Sequence, residues 1–598
     1  MANISKRNLR REKEIQEASK TRREIIQARL SRREMIKMGL LTSAGMLVPV
    51  KGLSARAADP NAMIPLDNPV SPPTTPFSEP LPIMPIKAPA ASLSPVWTVN
   101  PNWEMGEGRP LPHQCINDYP PQKVYEVHQK EMQVSMSRDL PLQTVWGYDG
   151  MVPGPTFVAR LGEPILIRHY NDLPADNKGF GINSVSTHLH NGHTPSESDG
   201  HPCNYFEAGQ YYDVHYPNVL AGCDSTHPPV GDINEAMGTM WFHDHRLDHT
   251  AQNVYKGLFT FYLMFNHLDT GDETTGFRLP SFPQFDIPMF FHDRVFDAQT
   301  GQSFYDLFNL DGIIGDKFMV NGMVQPFFEV HPRRYRLRLH NPGPSRFCEF
   351  FLTDPNNPNA RNFFWQISQD GNLLPKPIRV QSVRLSPAER ADIIVDFAAF
   401  AGRSIYMENR LQQVNGRGPT NKILPANAGG KYMRFDVVLP AVPDNSANPA
   451  NITKFYDLPN RTAVPRITRT FRFDRKNGQW AVNGRFVNCD ETRFRIRQNT
   501  VEKWIIKNNS GGWQHPIHIH FEEFQMLKRN GVAIKAGTAD YGRRDVVRLG
   551  FNETVEILFR FRDFKGVYPM HCHNVVHEDH AMMLLWEIND VGDNITNP

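Results

Sequence analysis

Twelve residues in four short clusters could bind soft or borderline metal ions, and their spacing decides which atoms can meet. The clusters are His188-Leu189-His190, His243-Asp244-His245, the run His515-Pro516-Ile517-His518-Ile519-His520, and His571-Cys572-His573 continuing to His577 and Met582. In a strand, residues two apart share a face, so each His-x-His pair aims two imidazoles the same way. The pairs 188/190, 243/245, 518/520 and 571/573 together supply eight imidazoles. If two β-units face each other, all eight can converge on one cavity. Imidazole suits copper, zinc and iron, and eight are more than one tetrahedral ion takes, so several ions are expected there.

Cys572 lies between the two histidines of its pair and so faces the opposite side of the strand. His515, His577 and Met582 are left over. Two imidazoles, one thiolate and a weak axial thioether form the donor set of a blue-copper electron-transfer site. Its thiolate is then one residue of backbone away from His571 and His573, and an electron can pass from sulfur to the cluster along the chain. Each fragment alone is ordinary: a lone His-x-His is a common surface or core pair, and Met582 beside Met583 reads as core packing. The joint pattern carries the reading. His193, His201, His249 and His580 break the pair spacing and are expected at the surface or beside the ligands. His113, His128, His267 and His340 carry no case.

These donors need strands to hold them, and the rest of the chain supplies strand texture. The chain has 598 residues, enough for three or four domains, with 49 prolines and 41 glycines that favour short strands joined by turns. Runs such as Tyr125 to Met136, Thr156 to Tyr170, Met240 to His245, Phe327 to His340, Ile393 to Phe397, Phe494 to Lys507 and Thr554 to Phe561 read as strands. In Arg334-Tyr335-Arg336-Leu337-Arg338-Leu339 the alternation predicts one buried and one solvent face. Tyr148-Asp149-Gly150-Met151, Val320-Asn321-Gly322-Met323 and Val482-Asn483-Gly484-Arg485 form a weak internal echo of turn signals. Boundaries fall near 270 and 455, giving units 96–270, 271–455 and 456–598. Hydrophobic content of 40% and a net charge of +2 fit a soluble globular protein and give no sign of a nucleic-acid partner.

Residues 1–57 read as a leader. Arg32-Arg33 precedes the apolar run Met38 to Val50 and then Ala55-Arg56-Ala57, the order of a twin-arginine export signal with its cleavage site. The apolar run is short for a bilayer span, so no membrane span is expected in the mature form. The expected location is periplasmic or extracellular. Pro-rich residues 58–95 read as an extended linker or a surface strap. Besides Cys572 there are five cysteines, Cys115, Cys203, Cys223, Cys348 and Cys489. Cys203 and Cys223 flank one loop and could pair in an oxidising compartment; isolated buried thiols are the alternative.

The motifs His-Leu-His-Asn-Gly, Trp-Phe-His-Asp-His, His-Pro-Ile-His-Ile-His and His-Cys-His-x-x-x-His-Glu-Asp-His-x-Met resemble the four copper motifs of the multicopper oxidases, in family order. The likeness spans roughly residues 100 to 590. Ser198-Asp199-Gly200 and the Glu-Asp after His577 look most like the branch of spore-coat laccase, bilirubin oxidase and phenoxazinone synthase. The resemblance implies an all-β fold of three cupredoxin-like Greek-key β-sandwich domains, with a trinuclear cluster between the first and third. It implies four copper ions. His515, Cys572, His577 and Met582 would hold type 1, and His188 and His518 type 2. The type 3 pair would take His190, His243 and His573 on one ion and His245, His520 and His571 on the other. Asp199 and Glu578 match acids that deliver protons, which O₂ reduction to water consumes; ordinary loop salt bridges are the alternative. The stretch from Cys203 to Met240 is longer than in the spore-coat pattern.

The implied partners are O₂ and a small aromatic reducing substrate: phenols, aminophenols or bilirubin-like pigments. Electrons would enter at the type 1 site by way of an exposed ligand such as His515 or His577. A metallo-oxidase for Mn(II) or Cu(I) is the alternative, although the 22 methionines form no dense run. A non-catalytic exported cupredoxin scaffold would lack the copper ligands, and the length and the His-Cys-His run disfavour a two-domain nitrite reductase.

Overall fold

Each of the three echoed turns closes a hairpin of one design in the computed structural model, which describes residues 70–222, 231–307, 309–476 and 478–598. Both central residues of each turn have positive φ: Asp149 and Gly150, Asn321 and Gly322, Asn483 and Gly484. Asn, Asp and Gly tolerate that conformation, and such turns match the twist of the flanking strands. In each, the side-chain oxygen of the first residue accepts a backbone N–H from the neighbouring strand, of His128, Phe290 and Arg472 respectively.

The repetition extends to whole sheets. Among the described residues, six sheets occur in sequence as three pairs. Strands Lys123–Val134, Asp286–Phe296 and Ile467–Lys476 each run parallel to a later strand, Ile165–Asn171, Arg334–His340 and Thr500–Asn508. In the second sheet of each pair, Thr187–His190, Cys348–Thr353 and His515–Ile519 lie antiparallel to Thr239–Asp244, Ser404–Asn409 and Gly566–Cys572. Parallel neighbours within mainly antiparallel sheets require crossing connections, as in Greek-key sandwiches. The fold is all-β and cupredoxin-like. Separate aromatic and aliphatic cores fill the pairs, around Trp146 and Phe242, Phe291 and Phe350, and Trp504 and Trp586. In the first and last pairs the equivalent strands carry the His-x-His motifs; in the middle pair they carry no histidine.

Two expectations change. The Arg334–His340 strand buries both faces: Arg336 and Arg338 are fully buried and bind Asp269, Asp392 and Asp286. Arg338 also donates to Thr239 of the first sheet pair, so packing between sheet pairs takes the place of solvent. Cys203 pairs with Cys489 across a sequence separation of 286, not with Cys223. Docking of the last third of the chain on the first third creates that contact, which nearness in sequence cannot reveal. Cys115 and Cys348 are buried reduced thiols. Cys223, the twin-arginine motif and the leader lie outside the described residues. The described part of the Pro-rich segment is a strap: Leu81 donates to Phe327, Lys87 to Thr156 and Ala90 to Val124. Among the described residues, no helix is long and apolar enough to cross a membrane.

Candidate metal centre

Cross-strand register brings the histidines together before any side chain bends. His188 sits opposite His243, and His518 opposite His571. The two sheets then face each other, and all eight paired imidazoles are buried. His188 Nε2 lies 3.3 Å from His518 Nε2. His571 Nε2 lies 3.0 Å from His245 Nε2 and 3.1 Å from His520 Nε2. The rings of His190, His243 and His573 stand 5.2 to 6.0 Å apart. Rings also stack across these sets, His190 on His518 at 3.6 Å and His188 on His520 at 3.7 Å, so the eight form one continuous cluster.

The thiolate candidate forms a separate grouping on the other side of its strand. Cys572 Sγ lies 3.4 Å from His515 Nδ1 and 3.7 Å from His577 Nδ1, and the two nitrogens are 3.1 Å apart. Ser510 Oγ holds the far nitrogen of His515 at 2.8 Å, and the carbonyl of Asp311 holds that of His577 at 3.1 Å. His577 rides on the short helix Val575–Glu578, which follows directly on the strand that ends at Cys572. Met582 is fully buried, and its carbonyl accepts the Cys572 N–H at 3.0 Å.

The donor set fits metal ions. His190 Nε2, His243 Nε2, His245 Nδ1 and both nitrogens of His573 are buried without a hydrogen-bond partner. Such groups are costly to bury unless something else satisfies them, and a cation does. Burial also keeps the imidazoles neutral, the form that binds metal: it lowers His515 to about 3 and His245 to about 4. Burial pushes the Cys572 thiol well up, so a bound cation is what would stabilise its thiolate.

Around the candidate ligands stand groups that orient them. Asp199 Oδ2 lies 2.7 Å from His520 Nδ1, and its backbone oxygen lies 2.5 Å from His188 Nδ1. Glu578 lies 3.0 Å from His571 Nδ1 and 3.6 Å from His245 Nε2. Both acids therefore touch the cluster from different sides. Burial raises Asp199 well above the usual carboxylate range. Burial opposes ionisation of Glu578 too, but His571 and His245 together hold it below its ordinary value. Acceptors at Nδ1 fix the tautomer that presents Nε2 to a metal.

Sequence reasoning missed Asp545, Arg390 and Trp241. Asp545 accepts His518 Nδ1 on its carbonyl at 2.9 Å, and Trp241 stacks on His243 at 4.2 Å. Trp241 shares a strand with His243 at the same-face spacing, so it was visible in principle. His340, set aside above, packs on Trp241 at 4.2 Å. His193 is buried 2.6 Å from Asp563, not on the surface. Neither His515 nor His577 is exposed: both have 0% relative accessibility, covered by Trp480, Ser510 and Asp311. His515 and His577 therefore do not offer the exposed ligand expected for electron entry.

Two multicopper oxidase family models match residues 129–267 and 460–591, the segments that hold the histidine clusters. The chain is 31% identical over 538 residues to bilirubin oxidase of Albifimbria verrucaria, covering 88% of this chain and 84% of that one. It is 30% identical to a laccase of Bacillus subtilis, covering 78% and 94%. Among solved structures, a laccase from Pediococcus acidilactici superposes with a TM-score of 0.67 at 21% identity, over 89% of this chain and 98% of that one. A metallo-oxidase from Campylobacter jejuni superposes with a TM-score of 0.65 at 18% identity, over 87% and 98%; likeness at such identities speaks for the fold. The chain is a copper-dependent oxidoreductase that belongs to the multicopper oxidase family.

Proposed function

We propose that this protein is a laccase-like oxidase with four copper ions, coupling four one-electron oxidations of a phenolic, aminophenolic or bilirubin-like donor to reduction of O₂ to two waters. One observation carries the reading. Cys572 faces His515 and His577, while its chain neighbours His571 and His573 join the imidazole cluster behind it. Copper, when bound, supplies one-electron redox chemistry at the thiolate and O₂ reduction at the cluster. Type 1 is assigned to His515, Cys572, His577 and Met582, type 2 to His188 and His518, and type 3 to the remaining six histidines.

The protein's own groups do the rest. The backbone on either side of Cys572 is the covalent bridge between the two sites. Asp199, pushed toward its neutral form, can hold a proton beside a ring nitrogen, and Glu578, held ionised, can accept and pass one. Because the type 1 histidines are covered, the aromatic rings over them are the path inward. Trp480 packs 4.1 Å from His577, and Trp513 meets Trp480 edge-on at 5.2 Å. Trp513 is half-buried beside exposed Gly511 and Gly512. Arg417 and Arg475 lie 4.6 and 4.8 Å from its ring. We assign Trp513 as the outermost ring of that path, with the arginines over it favouring anionic donors.

Units divided near residues 270 and 455 accord with the three pairs of sheets. The disulfide between Cys203 and Cys489 supports export to an oxidising compartment.

Oxygen uptake by copper-loaded protein over a panel of phenols, aminophenols, bilirubin, Mn(II) and Cu(I) tests the reading. Uptake is expected with the organic donors, abolished by Cys572→Ser and slowed by Trp513→Leu with the blue absorption kept. Full turnover in Cys572→Ser overturns the assignment of the electron-accepting site. Activity confined to Mn(II) or Cu(I) favours the metallo-oxidase alternative.

A further inference from the structure

The middle sheet pair holds none of the twelve donors, yet it reaches the cluster. Arg390, the first residue of strand Arg390–Asp396, is fully buried. Its guanidinium forks onto the Asp545 carboxylate at 2.9 and 2.6 Å and donates to the Ala388 carbonyl at 3.1 Å. The same Nη1 lies 3.2 Å from His190 Nδ1. Asp545 is the residue whose carbonyl accepts His518 Nδ1 at 2.9 Å. The Asp545 N–H is itself held by Asp370 of the middle sheet pair at 3.1 Å. The rings of His190 and His518, which this one guanidinium touches directly and through Asp545, stack on each other at 3.6 Å.

We propose that Arg390 is a positioning residue: with Asp545 as intermediary, it lets the middle sheet pair fix His518 in the copper cluster. This rests on the copper reading above. A planar bidentate fork sets distance and angle together, which a lysine point charge does not. The consequence is selective. In the assignment given, His518 shares its ion with His188 alone, so a displaced His518 removes half of that ion's protein donors. The thiolate grouping contains neither ring and should be untouched.

Arg390→Gln alone leaves Asp545 buried without its partner and lowers stability for that reason. The double variant R390Q/D545N removes that penalty and keeps the test sharp. Copper titration of metal-free protein, followed by optical and electron-paramagnetic spectra, is the measurement. In the double variant the blue absorption is expected intact, while the type 2 signal shifts or disappears and that ion binds about 10- to 100-fold more weakly. Arg390→Lys should give the same selective change in milder form. The proposal is overturned if the double variant binds every ion with wild-type affinity and spectrum, or if the blue and type 2 signals fall together. Wild-type protein that takes up no copper would instead sink the copper reading itself.

Discussion

At the scale of single residues, the clustering of the paired histidines was legible and the groups that support them were not. A His-x-His pair announces its shared face by spacing alone, and a cysteine between two such histidines must face away. Asp199 and Glu578 were suggested by resemblance to a family, since nothing in their spacing marks an acid as facing an imidazole. Arg390 and Asp545 are separated by 155 positions and meet only through packing. The acids give a direct prediction. Asp199→Asn and Glu578→Gln each remove a proton carrier while keeping shape, so turnover should fall by about 10²-fold or more. The blue absorption should not change, because neither acid is within the Cys572 grouping. Oxygen uptake compared with the optical spectrum checks this, and unchanged turnover in both variants would make them simple structural polar groups.

At the scale of elements, turns were more informative than strands. The three Asn-Gly or Asp-Gly signals marked equivalent corners because positive φ at two successive residues restricts the choice of side chain. Strand alternation misled at Arg334–His340, where arginines on the supposed solvent face are buried with carboxylates. Periodicity reports which residues share a face, not what that face meets. The Cys203–Cys489 bond was equally hidden, as it joins a loop of the first third to one of the last. Replacing either cysteine by serine should lower unfolding stability by about 2–5 kcal/mol. Denaturant midpoints measure this, and a shift within error would mean that non-covalent packing alone holds the two segments. Both thiols recovered oxidised from exported protein would also support the export reading, whereas both recovered reduced would oppose it.

At the scale of the whole molecule, buried neutral histidine is a recurring liability. Besides the ligands, burial lowers His169 and His292 to about 3 and His215 to about 4, against 6.5 for a free ring. The unfolded chain therefore takes protons first as the pH falls. Stability from these three is complete above about pH 6.5 and is lost as the pH drops toward 4, at about 1.4 kcal/mol per group per pH unit. Urea unfolding of metal-free protein from pH 7 to 4.5 should show this loss, and a flat profile would contradict the buried neutral states. The larger arrangement, two histidine-bearing sheet pairs around a cluster with a third that adds none on the equivalent strands, follows from the sequences of those strands.

The central claim is a thiolate site joined by one strand to a cluster that takes O₂ through four electrons. An anaerobic reductive titration of fully copper-loaded protein, followed by one measured addition of O₂, tests it. Four electrons per chain should be accepted, and one O₂ should return all four with no hydrogen peroxide. A capacity of one electron, or peroxide as the product, would contradict it.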